Sequence, residues 1–176
     1  MLPLPDPAAL VGRAVPHLRL PATSGGSVDL AGVGRPRAVV YLYPMTGRPG
    51  IPMPRGWDEI PGARGCTPES CGFRDHHAEI AARGAEVYGL SAQTTDDQRE
   101  AAERLNLPFP LLSDHELRLA AELPLPTFRA DGRVLYGRIT LVLREGRVEH
   151  VFHPVSEPAR HAEEVLAWLA GRAVDG

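Results

Sequence analysis

Cys66 and Cys71 are the only cysteines of the chain, and they fall in Gly65-Cys66-Thr67-Pro68-Glu69-Ser70-Cys71-Gly72-Phe73-Arg74-Asp75, at the head of a segment with helical periodicity. A thiol in the first turn of a helix faces unpaired backbone N–H groups and the positive end of the macrodipole, both of which favour the thiolate. Cys66 is therefore the candidate nucleophile, with an expected pKa below that of a free thiol. The second cysteine fits another role. On a regular helix, residues five apart lie about 140° around the axis with Cα atoms about 8–9 Å apart. A disulfide tolerates no more than about 7 Å. A Cys66–Cys71 bond thus requires the first turns to unwind, so the cross-link is expected as a switched state and not as a permanent staple. Pro68 sits where unwinding is easiest, since proline is tolerated in a first turn and removes one donor from it.

Three other readings compete. Two buried structural cysteines without chemistry are common in intracellular chains. A structural disulfide would close a short loop and gain little chain entropy. Zinc held by Cys66, Cys71, His76 and His77 matches no common ligand spacing, and adjacent histidines on a helix point in different directions. His76 and His77 read instead as helix-surface residues.

The elements that must position Cys66 follow from patterning. His17–Leu30 alternates around Ser24-Gly25-Gly26-Ser27 and predicts a β-hairpin, followed by a loop over 32–36. Ala38-Val39-Val40-Tyr41-Leu42-Tyr43 is a continuous apolar run too short for a helix, expected as a buried central strand that Pro44 ends. Residues 45–65 are dense in Gly and Pro and predict a long loop. A helix is expected from near Cys66 to a stop at Gly84, then a strand over 86–90 and a helix capped by Thr95 that runs to about Leu105. A short apolar segment at 109–112, a helix over 116–122, a strand pair at 135–143 and 148–152 turning at Glu145-Gly146, and a final amphipathic helix over 157–171 complete the reading. Strands alternating with crossover helices predict an α/β fold with a central mixed sheet flanked by helices, compatible with a thioredoxin-like architecture. The nucleophile then lies beyond the carboxyl end of a buried strand, where open α/β sheets place their sites.

With 176 residues and a formal charge of -3, the chain reads as a single domain, 1–176, with an insertion at about 45–64. The charge argues against a general nucleic-acid or membrane-surface role. All 19 Lys or Arg side chains are arginine. The absence of lysine excludes Schiff-base chemistry on a side-chain amine and a P-loop of the usual type. Met1-Leu2-Pro3-Leu4-Pro5-Asp6-Pro7 shows no basic segment leading an apolar run, and cytoplasmic residence with reduced thiols is expected.

Several segments, taken in order, carry a resemblance: Tyr41-Leu42-Tyr43-Pro44, Gly65-Cys66-Thr67 with Glu69 and Cys71, Phe73-Arg74-Asp75, Gly89-Leu90-Ser91, Leu107-Pro108-Phe109-Pro110-Leu111-Leu112-Ser113-Asp114, and Gly137-Arg138-Ile139-Thr140-Leu141-Val142-Leu143. From about His17 to Phe152 the chain resembles the peroxiredoxins, and within them the Q-type, bacterioferritin-comigratory-protein-like group. The resemblance implies a thiol peroxidase in which Cys66 is the peroxidatic cysteine and Cys71 the resolving cysteine of an intramolecular, atypical two-cysteine cycle. Arg138 matches the family's arginine from a distant strand. Physical logic agrees, since a fixed guanidinium stabilises a thiolate and donates to peroxide oxygens as charge builds on the leaving group. Tyr43, Pro44, Thr46, Gly65 and Glu69 are the implied substrate-side residues.

Two departures stand out. The family's Pro-x-x-x-Thr-x-x-Cys loop is interrupted after Pro44, and Ala63 stands three before the cysteine, so the usual hydroxyl must come from Thr46, if the insertion returns to the site, or from a water. Arg64 also replaces the usual proline before Gly65. The insertion, with Trp57, Asp58 and Glu59, reads as a lid or partner surface, or as an exposed excursion with one anchoring tryptophan. No metal, flavin or haem is needed. The implied partners are a peroxide and thioredoxin or a similar dithiol, with no nucleic acid and no membrane, in a monomer or weak homodimer. A redox sensor or binding module of the same fold, whose disulfide state alters a partner surface, is the alternative. A disulfide oxidoreductase lacks its Cys-x-x-Cys.

Overall fold

The computed structural model describes residues 6–172. Most of the N-terminal heptapeptide considered above, residues 1–5, lies outside them. The core is a five-stranded mixed sheet in the order β5-β4-β3-β8-β9. Its centre is β3 (Arg37–Leu42), every residue of which is buried. β4 (Ala85–Ser91) runs parallel to β3 and β5 (Leu111–Ser113) parallel to β4, whereas β8 (Ile139–Arg144) and β9 (Arg147–Phe152) add antiparallel on the other side. A strand buried on both faces needs apolar residues at every position, which is why Ala38–Leu42 shows no alternation.

Helices cover both faces. On one lie α1 (Cys66–Asp75), α2 (His77–Ala82) and α5 (His161–Ala170), packed through Phe73, Ile80, Ala162, Val165 and Leu169 against Val39, Tyr41 and Val87. On the other lie α4 (Arg118–Glu122), the 45–64 segment and two small antiparallel pairs, β1 (Arg19–Pro21) with β2 (Ser27–Asp29) and β6 (Thr127–Ala130) with β7 (Arg133–Tyr136). α3 (Thr95–Arg104) is the crossover between β4 and β5. This is the thioredoxin-like α/β arrangement expected. Among the described residues no helix is long and apolar enough to cross a membrane.

Several boundaries depart from expectation. The helix read as continuous from Cys66 to Gly84 breaks at His76, whose backbone (φ -106°, ψ 8°) leaves helical geometry and whose N–H caps the carbonyls of Gly72 and Arg74. The cap of α3 is Thr94, whose side chain accepts from Asp97 N–H, and not Thr95. The stretch 135–143 divides at Gly137 into β7 and β8, which belong to different sheets. Residues 45–64 contain only one short 3₁₀ turn, Trp57–Glu59, and the Trp57 ring is buried against Phe128 at 6.1 Å between centroids. The 45–64 segment is thus anchored through its own tryptophan.

Candidate active site

Cys66 is the first residue of α1, after Gly65 in a left-handed conformation (φ 106°). That conformation suits glycine alone, and a Cβ there would also approach Pro158 Cγ to 2.8 Å. The turn before α5 therefore closes directly over the start of α1. No side chain caps this helix start, so its first N–H groups are free to serve whatever sits at Cys66.

Arg138, from the residue before β8, reaches the sulfur. Its Nη2 donates to Cys66 Sγ at 3.3 Å and to the carbonyls of Gly62, Ala63 and Arg64 at 3.4, 3.3 and 2.9 Å. Its Nη1 donates to Glu69 Oε1 at 2.6 Å, with both side chains almost entirely buried. Glu69 lies one helical turn after Cys66, so one guanidinium joins the thiol and the carboxylate on the same face of α1. Glu69 Oε2 and Arg138 Nε are buried without a partner. Orphaned polar atoms are costly in a protein interior, and these two lie within the buried pair that faces the sulfur.

Cys66 is 4% exposed. Burial pushes the Cys66 thiol above its ordinary value, Arg138 and the Met45 N–H pull it down, and the Glu69 charge adds to the push. The expected depressed thiol is thus corrected for this closed arrangement: the cation and donors are present, but desolvation outweighs them. Burial likewise raises Glu69 from 4.5 to about 7 against the pull of Arg138. Sulfur and carboxylate compete for one positive charge.

This competition has a measurable consequence. Between 4.5 and about 7 the folded chain retains a proton on Glu69 that the unfolded chain has released. Stability from this group is therefore complete below pH 4.5 and lost as pH rises through 7, with a slope of at most about 1.4 kcal/mol per pH unit. Glu69→Gln, which keeps an acceptor for Arg138, is expected to flatten that slope in urea denaturation across pH 4.5–7.5. By removing the competing anion it should also move the thiol-dependent limb of Cys66 alkylation to lower pH. An unchanged limb would show that Glu69 does not share the cation with Cys66.

The remaining sequence-derived residues divide. Tyr43 and Pro44 are buried at the end of β3, and burial holds the Tyr43 hydroxyl above its ordinary value, with the charges of Cys66 and Glu69 contributing. Thr46 does not take the place of the missing hydroxyl. Its N–H and Oγ1 both donate to Gln93 Oε1, at 3.1 and 3.3 Å, and Gln93 Nε2 donates back to its carbonyl at 3.2 Å. A side-chain amide satisfies both the backbone and the hydroxyl of Thr46, which leaves the hydroxyl committed. Beside the sulfur stand instead the Met45 N–H and the carbonyl of Ala63, which accepts the thiol proton at 3.7 Å. Spacing gave no signal for Met45 or for the carbonyls of Gly62, Ala63 and Arg64, because any residue carries these groups. Gln93, just past the carboxyl end of β4, sits where switch-point logic could have looked.

Cys71 is half-buried, and both cysteines are free thiols on one regular helix. The unwinding that would join them is resisted by a Tyr41 Oη to Ser70 Oγ hydrogen bond of 2.9 Å and by Phe73, stacked on Tyr41 at 4.5 Å. His76 faces Glu79 and Glu163, and His77 packs on Phe109, so the two histidines diverge. Among the described residues no cluster of metal-ligating side chains forms. A groove of 580 Å³ opens at the start of α1, between the end of the 45–64 segment (Ile60, Pro61, Arg64) and Val155 and Pro158.

Comparison with known proteins follows the same outline. The AhpC/TSA family matches residues 60–151. A putative chloroplastic peroxiredoxin Q of Oryza sativa subsp. indica is 34% identical over 160 residues, covering 90% of this chain, which spans 65% of the rice protein's length. The chloroplastic peroxiredoxin Q of Sedum lineare is 32% identical over 159 residues, covering 90% of this chain and 76% of its own. Among solved structures, the bacterioferritin comigratory protein of Xanthomonas campestris, studied for alkyl peroxide reduction through trapped intermediate and ligand complexes, superposes with a TM-score of 0.67 at 26% identity, covering 96% of each chain.

Proposed function

The chain belongs to the AhpC/TSA family, in its peroxiredoxin Q group, and from that premise we propose that it is a thiol-dependent peroxidase acting through Cys66. The observation that carries the reading is the Arg138 guanidinium, buried between Glu69 and the Cys66 sulfur at the start of α1. With the proton resting on Glu69, the cation faces the sulfur alone, which lowers the cost that burial places on the thiolate. The thiolate attacks the terminal peroxide oxygen in line: an S–O bond forms, the O–O bond breaks, and the leaving oxygen departs as water or alcohol after taking a proton. Arg138 donates to the oxygens as negative charge develops on them. Both half-reactions belong to sulfur and call for no metal or organic cofactor.

Resolution uses Cys71. Once α1 unwinds, the Cys71 sulfur attacks the Cys66 sulfenic acid, the S–O bond breaks, water leaves, and an intramolecular disulfide remains. Thioredoxin or a similar dithiol returns both thiols. Every residue of this cycle lies on one chain, which supports a monomer or weak homodimer as the working unit, and two free thiols support residence in a reducing compartment such as the cytoplasm. The apolar rim of the groove at Ile60, Pro61 and Val155 supports organic hydroperoxides as substrates alongside hydrogen peroxide.

The test is intact mass before and after one equivalent of hydrogen peroxide. The wild-type protein is expected to lose two hydrogens, and Cys71→Ser to gain one oxygen. No change in either, at a concentration of peroxide that consumes free thiol elsewhere, would refute the peroxidase reading.

A further inference from the structure

His161 is buried at 1% exposure and plays no part in the cycle above. It opens α5, and its ring is held at both nitrogens: Nδ1 lies 2.9 Å from Glu164 Oε1, and Nε2 lies 2.8 Å from Thr140 Oγ1. An ionised carboxylate only accepts, so Nδ1 carries a hydrogen, and in the neutral ring that burial favours Nε2 accepts from the threonine hydroxyl. The ring is thereby fixed about both contacts. Thr140 is in β8, two residues beyond Arg138.

The plane so fixed meets two aromatic rings edge to face. One is Phe152 of β9, at 5.3 Å and 80°. The other is Phe73 of α1, at 5.7 Å and 86°. Phe73 is therefore clamped, with Tyr41 of the central strand stacked on one side and His161 at another. Phe73 lies two residues after Cys71 on the helix that must unwind, so unwinding that reaches this turn has to pull it out of the clamp.

We propose that His161 is a positioning residue that latches the reactive helix: aimed by Thr140 and Glu164, it braces Phe73 and so sets how often α1 opens for Cys71 to reach oxidised Cys66. The inference rests on the peroxidase reading and adds to it a control over the second step. In that step the Cys71–Cys66 sulfur bond forms, the Cys66 S–O bond breaks, and the departing hydroxide takes the Cys71 proton as water. Where unwinding limits this step its rate is the opening rate, and where unwinding precedes it in equilibrium its rate scales with the unwound population. Loosening the brace on Phe73 raises both. The first step needs α1 closed and is indifferent to the latch.

Rapid-quench intact mass after mixing with one equivalent of hydrogen peroxide separates the two steps, because the oxygen adduct appears in the first and vanishes in the second. Three variants are compared with the wild type: His161→Phe, which keeps the bulk and loses both polar bonds; His161→Ala; and Thr140→Val, which removes a single hydroxyl and serves if the alanine variant does not fold. The adduct is expected to form at the wild-type rate throughout. Its decay to the disulfide should be about fivefold faster in His161→Phe and Thr140→Val, which share the loss of the buried Thr140 bond, and about tenfold or more in His161→Ala, which loses the whole contact. Amide hydrogen exchange at 70–75 should accelerate in parallel while β4 stays protected. Folded variants with lowered thermal stability but an unaltered decay would reduce His161 to a structural residue and overturn the latch. A wild-type protein that forms no adduct would instead overturn the peroxidase reading itself.

Discussion

Cys66→Ser is expected to abolish peroxide consumption, lowering the second-order rate constant by about four orders of magnitude or more, the scale on which loss of a covalent nucleophile is felt. Serine is nearly isosteric, so the Met45 N–H and Arg138 Nη2 keep an acceptor and the fold should be close to unchanged in stability. What is lost is chemical. A hydroxyl in a buried site cannot ionise near neutral pH, and oxygen lacks the accessible oxidation states that let sulfur accept an oxygen atom and later surrender it as water. Stopped-flow consumption of hydrogen peroxide and of an organic hydroperoxide, with excess dithiol present, reads the effect. Residual turnover above the uncatalysed rate would move the nucleophile elsewhere in the chain.

Arg138→Met comes second. Removing the donor that faces the reacting oxygens is expected to cost about 100- to 1,000-fold in the rate of the first oxidation step. A second effect accompanies it, because Glu69 is left buried without its cation. Breaking a buried pair on one side costs about 3–5 kcal/mol when the remaining charge is held. Glu69 already lies at about 7 and can shed that charge by taking a proton, so the loss should be smaller at pH 6 than at pH 8. The double variant Arg138→Met, Glu69→Gln separates the effects. It should recover stability and lose its pH dependence without recovering rate. Recovery of both would mean that the arginine serves only to satisfy the carboxylate.

Legibility in the sequence followed the range of the forces involved. β3 could be read because its burial on both faces imposes an unbroken apolar run, and α5 because Ala162, Val165 and Leu169 repeat at helical spacing. β6 could not, since Thr127-Phe128-Arg129-Ala130 follows Pro124 and Pro126 and reads as turn. It is a strand because β7 pairs with it. The break at His76 depends on carbonyls of the preceding turn, which no residue type announces. At the site, Cys66 was visible by its type and its place at a helix start, and Glu69 and Arg138 through the family resemblance, but the sign of the thiol shift was not. A helix terminus is a local feature, whereas desolvation depends on everything packed around the sulfur. The backbone groups that hold Arg138 are invisible in any sequence for a simpler reason: every residue has them.

The pairing of β3 with β8 places Leu42 opposite Ile139, and the register shift in the pairing of β8 with β9 falls between Val142 and Leu143, away from the sulfur. This distribution makes the chain unevenly tolerant of added length. A residue inserted in the turn at Glu145-Gly146 leaves Arg138 in register and disturbs only the turn's own bonds, Glu145 N–H to the Gly34 carbonyl and Val15 N–H to the Gly146 carbonyl. One inserted between Ile139 and Val142 would slip the strand by one and turn the guanidinium to the opposite face of the sheet. Tags, reporter loops and permuted termini therefore belong at the far hairpin, and libraries that vary the length of β8 will sample mostly inactive proteins.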